Sequence, residues 1–533
     1  MMNKKILSGA FWLSVGNILS RILGIIYLIP WIMMIGSDNI SAAQALFNSA
    51  YTPYALFISL GTAGFPSAIA RRVAFYNSNN QYKESNALLK SGLLLMGISG
   101  MLCAIILFIM APIIAKSSPV ASSAEATRSI RIVAPALALI PLMSAIRGWF
   151  QGNQDLKPFG LSQVIEQFVR VLFILGSTYL VIYMLHLNFN VAVETSIFAA
   201  FIGAFSGLIY LALYFRKNYY TDFSWKLDSE EILQTCRLIK ITFYESIPFL
   251  LVGSGITLTQ LVDQVYFKQI LNSLLGISLV KTQYIYTLFS ANPSKITTVV
   301  IALATAISET SLPMLAAKRT EKAEILEILS KNMEYLFIFL LPIVTLLVSL
   351  AYEINFIFYS KSVQGGLYLQ MNLIQSLIMA ISIDFLTLLQ ALRYSKKAMM
   401  YMSIGLLIKL LLQFPLVYFF QGQGAIIATD IMFIYICIFA YRQIAQAFGV
   451  RIKRDFSIVL INLVFLILSM FTYQFSSRIF NISSKIDAFM FSAIFSIILI
   501  TIYILLLDFS DITYKSFGRY LIIKKYVPRH SKS

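Results

Sequence analysis

The uncharged run SGLLLMGISGMLCAIILFIMAPIIA, residues 91–115, decides the fold class of this chain. A helix needs about 20 apolar residues to cross about 30 Å of hydrocarbon. Similar runs recur along the 533 residues, of which 58% are hydrophobic and only 12% charged, with a mean hydropathy of +0.77. Soluble domains carry about 25% charged residues. The sequence therefore predicts an all-α polytopic membrane protein.

About fourteen membrane-spanning helices are predicted, and one longer charged connection follows the sixth of them, near residues 216–240. The first span lacks a small-residue cleavage site, so the MMNKK start is predicted to stay attached as an anchor. Continuous apolar runs also lack the alternation of barrel strands. The spans lie near residues 8–34, 45–70, 88–115, 129–149, 161–184, 192–215, 241–267, 283–308, 332–351, 367–391, 398–419, 424–446, 456–475 and 487–507.

The formal net charge of +18 is explained by membrane topology, so no nucleic-acid partner is expected. With both termini in the cytoplasm, 30 of the 42 basic residues, Arg147 among them, fall on the cytoplasmic side and eight fall outside. Such an excess is the positive-inside pattern of a multi-pass protein of the cell membrane. The remaining four lie inside predicted spans, and they are Arg21, Arg170, Lys295 and Lys409.

Two pairs of similar segments indicate a tandem repeat. PSAIARR at residues 66–72, expected to close the second span, resembles PMLAAKR at 313–319, at an offset of 247. AIR at 145–147 followed by QF at 167–168 resembles ALR at 391–393 followed by QF at 413–414, at an offset of 246. Six helices per repeat place two parallel lobes about an axis along the membrane normal. The expected domains are a lobe at 1–224, a lobe at 225–450, and two extra helices with a basic tail at 451–533.

The chain lacks the signatures of enzymes and of ATP-driven pumps. There is no Walker-type phosphate loop, and the three cysteines and two histidines are dispersed, so no cofactor, metal site or catalytic group is expected. Paired lobes with buried ionisable residues are typical of secondary transporters that alternate between inward-open and outward-open states.

The cationic residues within spans are the candidate substrate contacts. Arg21 in the first span would cost about 2.5–3.5 kcal/mol there, which favours a water-filled cavity for an anionic substrate over a buried ion pair. Glu166 and Arg170 are four residues apart and share a helix face, so they can form an ion pair. The sequence does not decide between a structural pair and a contact with substrate. Lys295 follows Pro293, which predicts a kink, and Lys409 lies too deep to reach the interface easily.

The acidic residues of the spans divide into two groups by depth. Glu245, Asp263 and Glu309 lie near helix ends and are expected to reach interfacial water. Asp384 and Asp430 lie deeper, and they are candidates for balancing a cation or for carrying a coupling ion. Together these residues suggest that cationic side chains at membrane depth in the N-terminal lobe hold a diphosphate, because arginine binds phosphate oxygens in a planar, bidentate way. The lipid tail of such a substrate could stay in the bilayer.

Three N-terminal motifs resemble one family. GAFWLSVGNILSRILG at 9–24, TAGFPSAIARR at 62–72, and RGWFQGNQ at 147–154 with SQVIEQFVR at 162–170 are similar to the MurJ-type lipid II flippases of Gram-positive bacteria. These belong, with stage V sporulation protein B, to the multidrug/oligosaccharidyl-lipid/polysaccharide exporter superfamily. The resemblance spans the whole chain and is looser after residue 240.

That resemblance implies a V-shaped bundle whose cationic cavity takes a lipid-linked, anionic sugar precursor. Arg21 matches the cavity arginine of the first helix and Arg71 the basic residue that ends the second, while the thirteenth and fourteenth helices form a groove for the polyprenyl tail. Some relatives bind sodium with acids of helices seven and eleven. The eleventh helix here has none, which leaves membrane potential as the alternative. Cell-wall synthesis proteins are candidate partners.

Two other functions remain open on the same fold, and one lies outside it. A flippase for a capsule, exopolysaccharide or teichoic acid unit would look almost the same in sequence. A multidrug/cation antiporter should carry an acid in the first helix, where this chain has Arg21. A membrane-embedded glycosyltransferase would need large loops with clustered acids or histidines, and the loops here are short.

Overall fold

The computed structural model describes residues 16, 19–36, 38–62, 65–219, 247–317, 322–449, 456–517 and 520–522. Within these ranges all regular structure is helical, as the apolar runs predict. Nine of the helices found there are long and apolar enough to cross a membrane. The chain forms two compact units, one of residues 1–291 with 402–428 and one of residues 292–401 with 429–533.

In the part that the structure describes, the first unit contains ten named helices, a further helical stretch at residues 247–253, and the helical residues 402–428. Two of the named helices, α7 and α9, continue into short π-helical turns at Leu180–Met184 and Gln269–Leu274, and α10 is followed by a third at Thr287–Ala291. The helices are α1 (Leu19–Ile35), α2 (Ile40–Thr62), α3 (Phe65–Ser78), α4 (Tyr82–Ser117), α5 (Ser123–Val133), α6 (Ala136–Gly152), α7 (Lys157–Tyr179), α8 (Phe189–Tyr219), α9 (Gly255–Lys268) and α10 (Leu279–Tyr286).

The second predicted span, near residues 45–70, includes parts of two described helices, and residues 63–64 between them lie outside the described residues. α2 ends at Thr62, and Pro66 is the second residue of α3. The motif at 66–72 lies in α3, and Pro313 lies in α11 (Asn292–Ala317). The residues just before α3 and just after α11 lie outside the described residues, so the equivalence of the two motifs stays a prediction.

Polar contacts hold α9 and α10 against the N-terminal helices. The Gln264 amide donates to the Ser49 carbonyl at 2.9 Å and to the Ser118 hydroxyl at 2.7 Å. The Asn48 amide donates to the Tyr286 hydroxyl at 3.1 Å. Gln264 and Tyr286 are fully buried, so these bonds are shielded from water and fix the register of the helices.

The second unit is built on a core shared by α11, α12 and α14. Val300, Leu336 and Leu373 lie at its centre and are fully buried. The described helices of this unit are α11 (Asn292–Ala317), α12 (Lys322–Ser349), α13 (Ala351–Phe358), α14 (Val363–Ala391), α16 (Phe456–Ile479), α17 (Lys485–Phe509) and α18 (Ile512–Phe517). A π-helical turn at Thr287–Ala291 comes directly before Asn292 and Pro293, and the kink that the proline predicts stays a prediction.

The last two spans pack on this unit as expected. Phe465 of α16 and Phe495 of α17 share a buried cluster with Ile338 of α12. The Tyr503 hydroxyl donates to the Ile338 carbonyl at 2.9 Å. α17 begins with a capping box at Ser484 and Asp487, which satisfies the first free N–H groups of the helix.

One helical segment contains two predicted spans. The helical segment α15 (Ser395–Phe448) consists of two helices that meet at a kink at Gln421, where φ is 50° and ψ is −125°, and its residues 402–428 belong to the first unit. The predicted domain boundaries at 224/225 and 450/451, like both chain termini, lie outside the described residues, so the division into two six-helix lobes stays a prediction.

Candidate functional site

A cluster of two arginines and one glutamate lies inside the first unit. Arg147 comes from α6, and Glu166 and Arg170 come from successive turns of α7. Their side chains are 11%, 15% and 15% exposed, so the cluster is largely enclosed. We call these three residues the arginine clasp. Its formal charge is +1, since one carboxylate faces two guanidinium groups.

Glu166 joins the two arginines. Its Oε2 accepts from Arg147 Nη2 at 3.0 Å, and its Oε1 accepts from Arg170 Nη2 at 2.9 Å. Arg147 Nε also donates to the Ser162 hydroxyl at 2.8 Å, one turn earlier on α7. Glu166 and Arg170 form the ion pair that their spacing allows, and Arg147 forms a second ion pair with the same glutamate.

The clasp extends to a tyrosine of α2. Arg170 Nη1 donates to the Tyr51 hydroxyl at 3.2 Å, and the Tyr51 ring stacks on Phe47 at 5.4 Å between centroids. The Arg170 Nε–H is buried and has no hydrogen-bond acceptor in the described part of the protein. Arginine side chains in a cluster of net positive charge have the chemistry to bind phosphate oxygens.

Close helix packing positions the clasp. A Cβ atom added to Gly203 of α8 would lie 2.8 Å from the Glu166 carbonyl and 3.0 Å from Arg170 Cβ. One added to Gly16, before α1, would lie 2.8 Å from the Gly160 carbonyl of α7. Gly203 and Gly16 therefore let the backbones of their two segments come into direct contact with the backbone of α7.

Arg21 lies on a helix next to the clasp. It is half-buried on α1, three residues before Gly24, whose added Cβ would contact Gln167 Nε2 of α7 at 3.4 Å. Residues three apart lie near one face of a helix, so Arg21 lies close to the side of α1 that meets α7. The first unit thus combines Arg21 with the arginine clasp.

Arg71 and Lys295 are not members of the clasp. Arg71 is exposed on α3 of the first unit. Lys295 is half-buried in the first turn of α11, in the second unit. Their contacts with substrate stay predictions.

Lys409 forms a buried ion pair within the first unit. Its Nζ donates to Asp263 Oδ1 of α9 at 2.7 Å and to the Ala425 carbonyl at 2.9 Å. The Lys409 side chain is fully enclosed and that of Asp263 is 12% exposed. The expectation that Asp263 reaches interfacial water is therefore wrong, because the lysine supplies its counter-charge inside the protein. Contact of Lys409 with substrate stays a prediction.

The two deep acids lie in the second unit. Asp384 of α14 is fully buried and accepts hydrogen bonds from the Asn332 amide of α12, while Asp430 of α15 is half-buried. Glu245 and the side chain of Glu309 lie outside the described residues. No group of three or more histidine, cysteine or acidic residues suited to a metal ion occurs among the residues searched.

Several residues that contact the candidate site residues carry no signal in the sequence pattern. Arg147 was expected in the cytoplasm from its place at a helix end, and its motif RGWFQ was the one hint of another role. Tyr51, Ser308 and Asn332 are neutral polar residues in apolar helices, and hydropathy does not separate them from their neighbours. Only the packing of distant helices identifies them.

The sequence has informative relatives. Residues 6–316 match the family model for polysaccharide biosynthesis proteins. The chain is 31% identical over 467 residues to the lipid II flippase MurJ of Bacillus subtilis strain 168, with 85% of each protein covered. It is 23% identical over 216 residues to stage V sporulation protein B of the same organism, with 40% of each covered.

Solved structures share the fold. A structure of lipid II flippase MurJ in an inward closed conformation matches with a TM-score of 0.66 and 15% identity, covering 95% of this chain and 99% of that one. An inward-facing multidrug resistance MATE family transporter of the MOP superfamily matches with a TM-score of 0.55 and 14% identity, covering 80% and 95%. Together with the apolar helices, these likenesses identify a multi-pass membrane protein of this fold.

Proposed function

Because the chain belongs to the polysaccharide biosynthesis protein family, we propose that it is a flippase for a lipid-linked glycan, and specifically for undecaprenyl-diphosphate-linked peptidoglycan precursor, lipid II. The precursor moves from the inner to the outer leaflet by alternating access. The observation that carries this proposal is the match to a lipid II flippase over 85% of both chains.

The arginine clasp supports an anionic substrate. A diphosphate needs cationic donors at membrane depth, and Arg147 and Arg170 with Glu166 form a largely enclosed network of net positive charge. Arg21 adds a second cation on the neighbouring helix. In this mechanism Arg21 and Arg170 bind the diphosphate, and Glu166 holds Arg170 in place. The polyprenyl tail remains in lipid.

The charge of the site disfavours the antiporter alternative. A drug cation would be repelled by Arg21 and by the net charge of the clasp, whereas a pocket for cations should carry an excess of acids. A flippase for another undecaprenyl-linked glycan keeps its place as the second candidate, because the matching family is described by polysaccharide biosynthesis in general.

The proposal is tested by depleting the protein in its host and measuring lipid II at the outer leaflet of the cytoplasmic membrane. We expect outer-leaflet lipid II to fall, and wild-type protein to restore it. Arg21→Ala and Arg170→Ala should fail to restore it, although both insert into the membrane.

Arg128→Ala is the matched control. Arg128 also pairs with a glutamate in the first unit, Glu194 at 3.0 Å, but its side chain is 59% exposed, so the variant should restore lipid II like wild type. Unchanged lipid II after depletion, in a host without a second flippase, would assign the protein to another lipid-linked glycan. Full rescue by both Arg21→Ala and Arg170→Ala would remove the diphosphate site.

A further inference from the structure

Asp384 lies at the centre of a polar cluster in the second unit. Its side chain on α14 faces Ser308 on α11 and Asn332 on α12, and all three residues are buried. Asp384 is seven residues from the end of its helix at Ala391, or about 10 Å along the helix axis. The carboxyl group is therefore well inside the apolar bundle.

Neutral donors surround this carboxyl group. Asn332 Nδ2 lies 3.0 Å from Asp384 Oδ1 and 2.9 Å from Oδ2, and the Ser308 hydroxyl also contacts Oδ1. The Ser311 hydroxyl lies 2.6 Å from Asn332 Oδ1, so the Asn332 amide is held between Ser311 and the carboxyl group. Both carboxyl oxygens of Asp384 are thus hydrogen-bonded to uncharged groups.

No cation balances Asp384 among the residues that the structure describes. Lys331 pairs instead with Glu327 at the surface, at 2.7 Å, and Glu334 contacts Ser516. No charged side chain described on the helices packed around Asp384 lies within hydrogen-bond distance of it, and the side chain of Glu309 lies outside the described residues. The charged residues of these helices, apart from Asp384 itself, are Lys295, Glu309, Lys322, Glu324, Glu327, Lys331, Glu334, Glu353, Lys396, Lys397, Lys409, Asp430 and Arg442.

A buried carboxylate without a cation is strongly unfavourable, and binding a proton removes that penalty. The Ser308 hydroxyl suits both states of the group. It lies 3.0 Å from the Ala304 carbonyl as well as in contact with Asp384, yet it has a single hydrogen. When the hydrogen points to Ala304, the serine oxygen accepts the proton of a neutral Asp384. When the hydrogen points to Asp384, it stabilises the carboxylate.

We propose that Asp384 is a proton-binding site, and that its charge alternates between −1 and 0 during the transport cycle. The second half of this statement rests on the proposed function, whereas proton binding itself does not. A sodium ion fits less well, because among the described residues only the Ser308 hydroxyl and the Asn332 amide lie within hydrogen-bond distance of the carboxyl group, which is fewer ligands than hard cations take. Each cycle would take up one proton at Asp384 and release it on the opposite side.

The first experiment measures the proton directly. Purified full-length protein in lipid is titrated with acid and base while the infrared C=O stretch of protonated carboxyl groups is recorded. We expect a band that titrates in wild type and is lost in Asp384→Asn, an isosteric variant whose amide imitates the protonated acid.

Asp508→Asn is the matched control for loss of a buried carboxylate. Asp508 accepts the backbone N–H groups of Leu521 at 3.1 Å and Ile522 at 2.7 Å, which stabilise its ionised form, so the band should remain in this variant. If Asp384→Asn fails to fold, Ser308→Ala serves instead and should shift the frequency of the band. A spectrum of Asp384→Asn identical to that of wild type, or a band displaced by sodium at constant pH, overturns the proposal.

The second experiment links the proton to transport. In reconstituted vesicles, a proton gradient should change the rate of lipid II flipping by wild-type protein, and Asp384→Asn should lose that dependence. A wild-type rate that ignores the gradient overturns the coupling. Absence of any lipid II flipping, with the infrared titration intact, would refute the proposed substrate and leave the proton site standing.

Discussion

The ion pair of Lys409 with Asp263 shows how single residues stabilise this protein. The two residues are 146 positions apart and meet at 2.7 Å in a buried place. Removal of one partner from a buried pair leaves an uncompensated charge, which typically destabilises a protein by about 3–5 kcal/mol, whereas replacement of both by apolar residues is often neutral.

We therefore expect Lys409→Met to lower the stability of the folded protein strongly and Lys409→Met with Asp263→Leu to recover most of the loss. Thermal unfolding in detergent, analysed as a double-mutant cycle, measures this coupling. Additive effects of the two substitutions would contradict the role of the pair. They would indicate that each residue acts through separate neighbours.

At this scale the sequence predicts contacts along one helix better than contacts between helices. The pairing of Glu166 with Arg170 follows from their spacing of four, and the structure contains it. Arg147 and Asp263 are paired with residues of other helices, and nothing in local spacing identifies those partners. A position near a helix end predicted water for Asp263, but tertiary packing supplies Lys409 instead.

At the scale of helices, close packing around α7 depends on glycine. We expect Gly203→Ala to destabilise the protein by about 1–3 kcal/mol, because the new Cβ atom would press on the Glu166 carbonyl, which cannot move aside as a side chain can. Displacement of Glu166 and Arg170 should also reduce lipid II transport. Unfolding in detergent and the outer-leaflet assay measure the two effects.

Gly176→Ala provides the comparison for this prediction. Gly176 lies on α7 itself, and an added Cβ atom would meet nothing within 4 Å. Alanine is the better helix former, so this variant should be as stable as wild type or slightly more so. Equal behaviour of the two variants would mean that contact between α7 and α8 is not limiting.

Helices with uniform apolar runs are predictable, and irregular ones are not. The predicted span 88–115 corresponds to α4 (Tyr82–Ser117), and 487–507 corresponds to α17 (Lys485–Phe509). The region of α9 to α11 is different, since π-helical turns at Gln269–Leu274 and Thr287–Ala291 interrupt it. Hydropathy measures how apolar a segment is and does not detect a change in the backbone hydrogen-bond pattern.

At the scale of the whole molecule, the distribution of charge predicts the orientation in the membrane. In a background without Cys103, Cys236 and Cys437, a cysteine at Asn481, exposed between α16 and α17, should react with a membrane-impermeant maleimide on intact cells. A cysteine at Ser533 should react only after permeabilisation. The reverse pattern would place both termini outside and invert the proposed direction of transport.

The sharp reversal within α15 has a consequence for how the protein is made. Gln421 alone separates the two halves of this helix, and Gly424 touches the Leu416 backbone so closely that no side chain fits between them. With no loop to pass across the bilayer, the two halves should leave the translocon together as a helical hairpin. Lys409 would then enter lipid already hydrogen-bonded to the Ala425 carbonyl of the other half. Asp263 is synthesised earlier, so its carboxylate would already be present to balance the charge of the lysine. We therefore expect this order of synthesis to spare the deeply placed lysine from entering hydrocarbon without a polar partner.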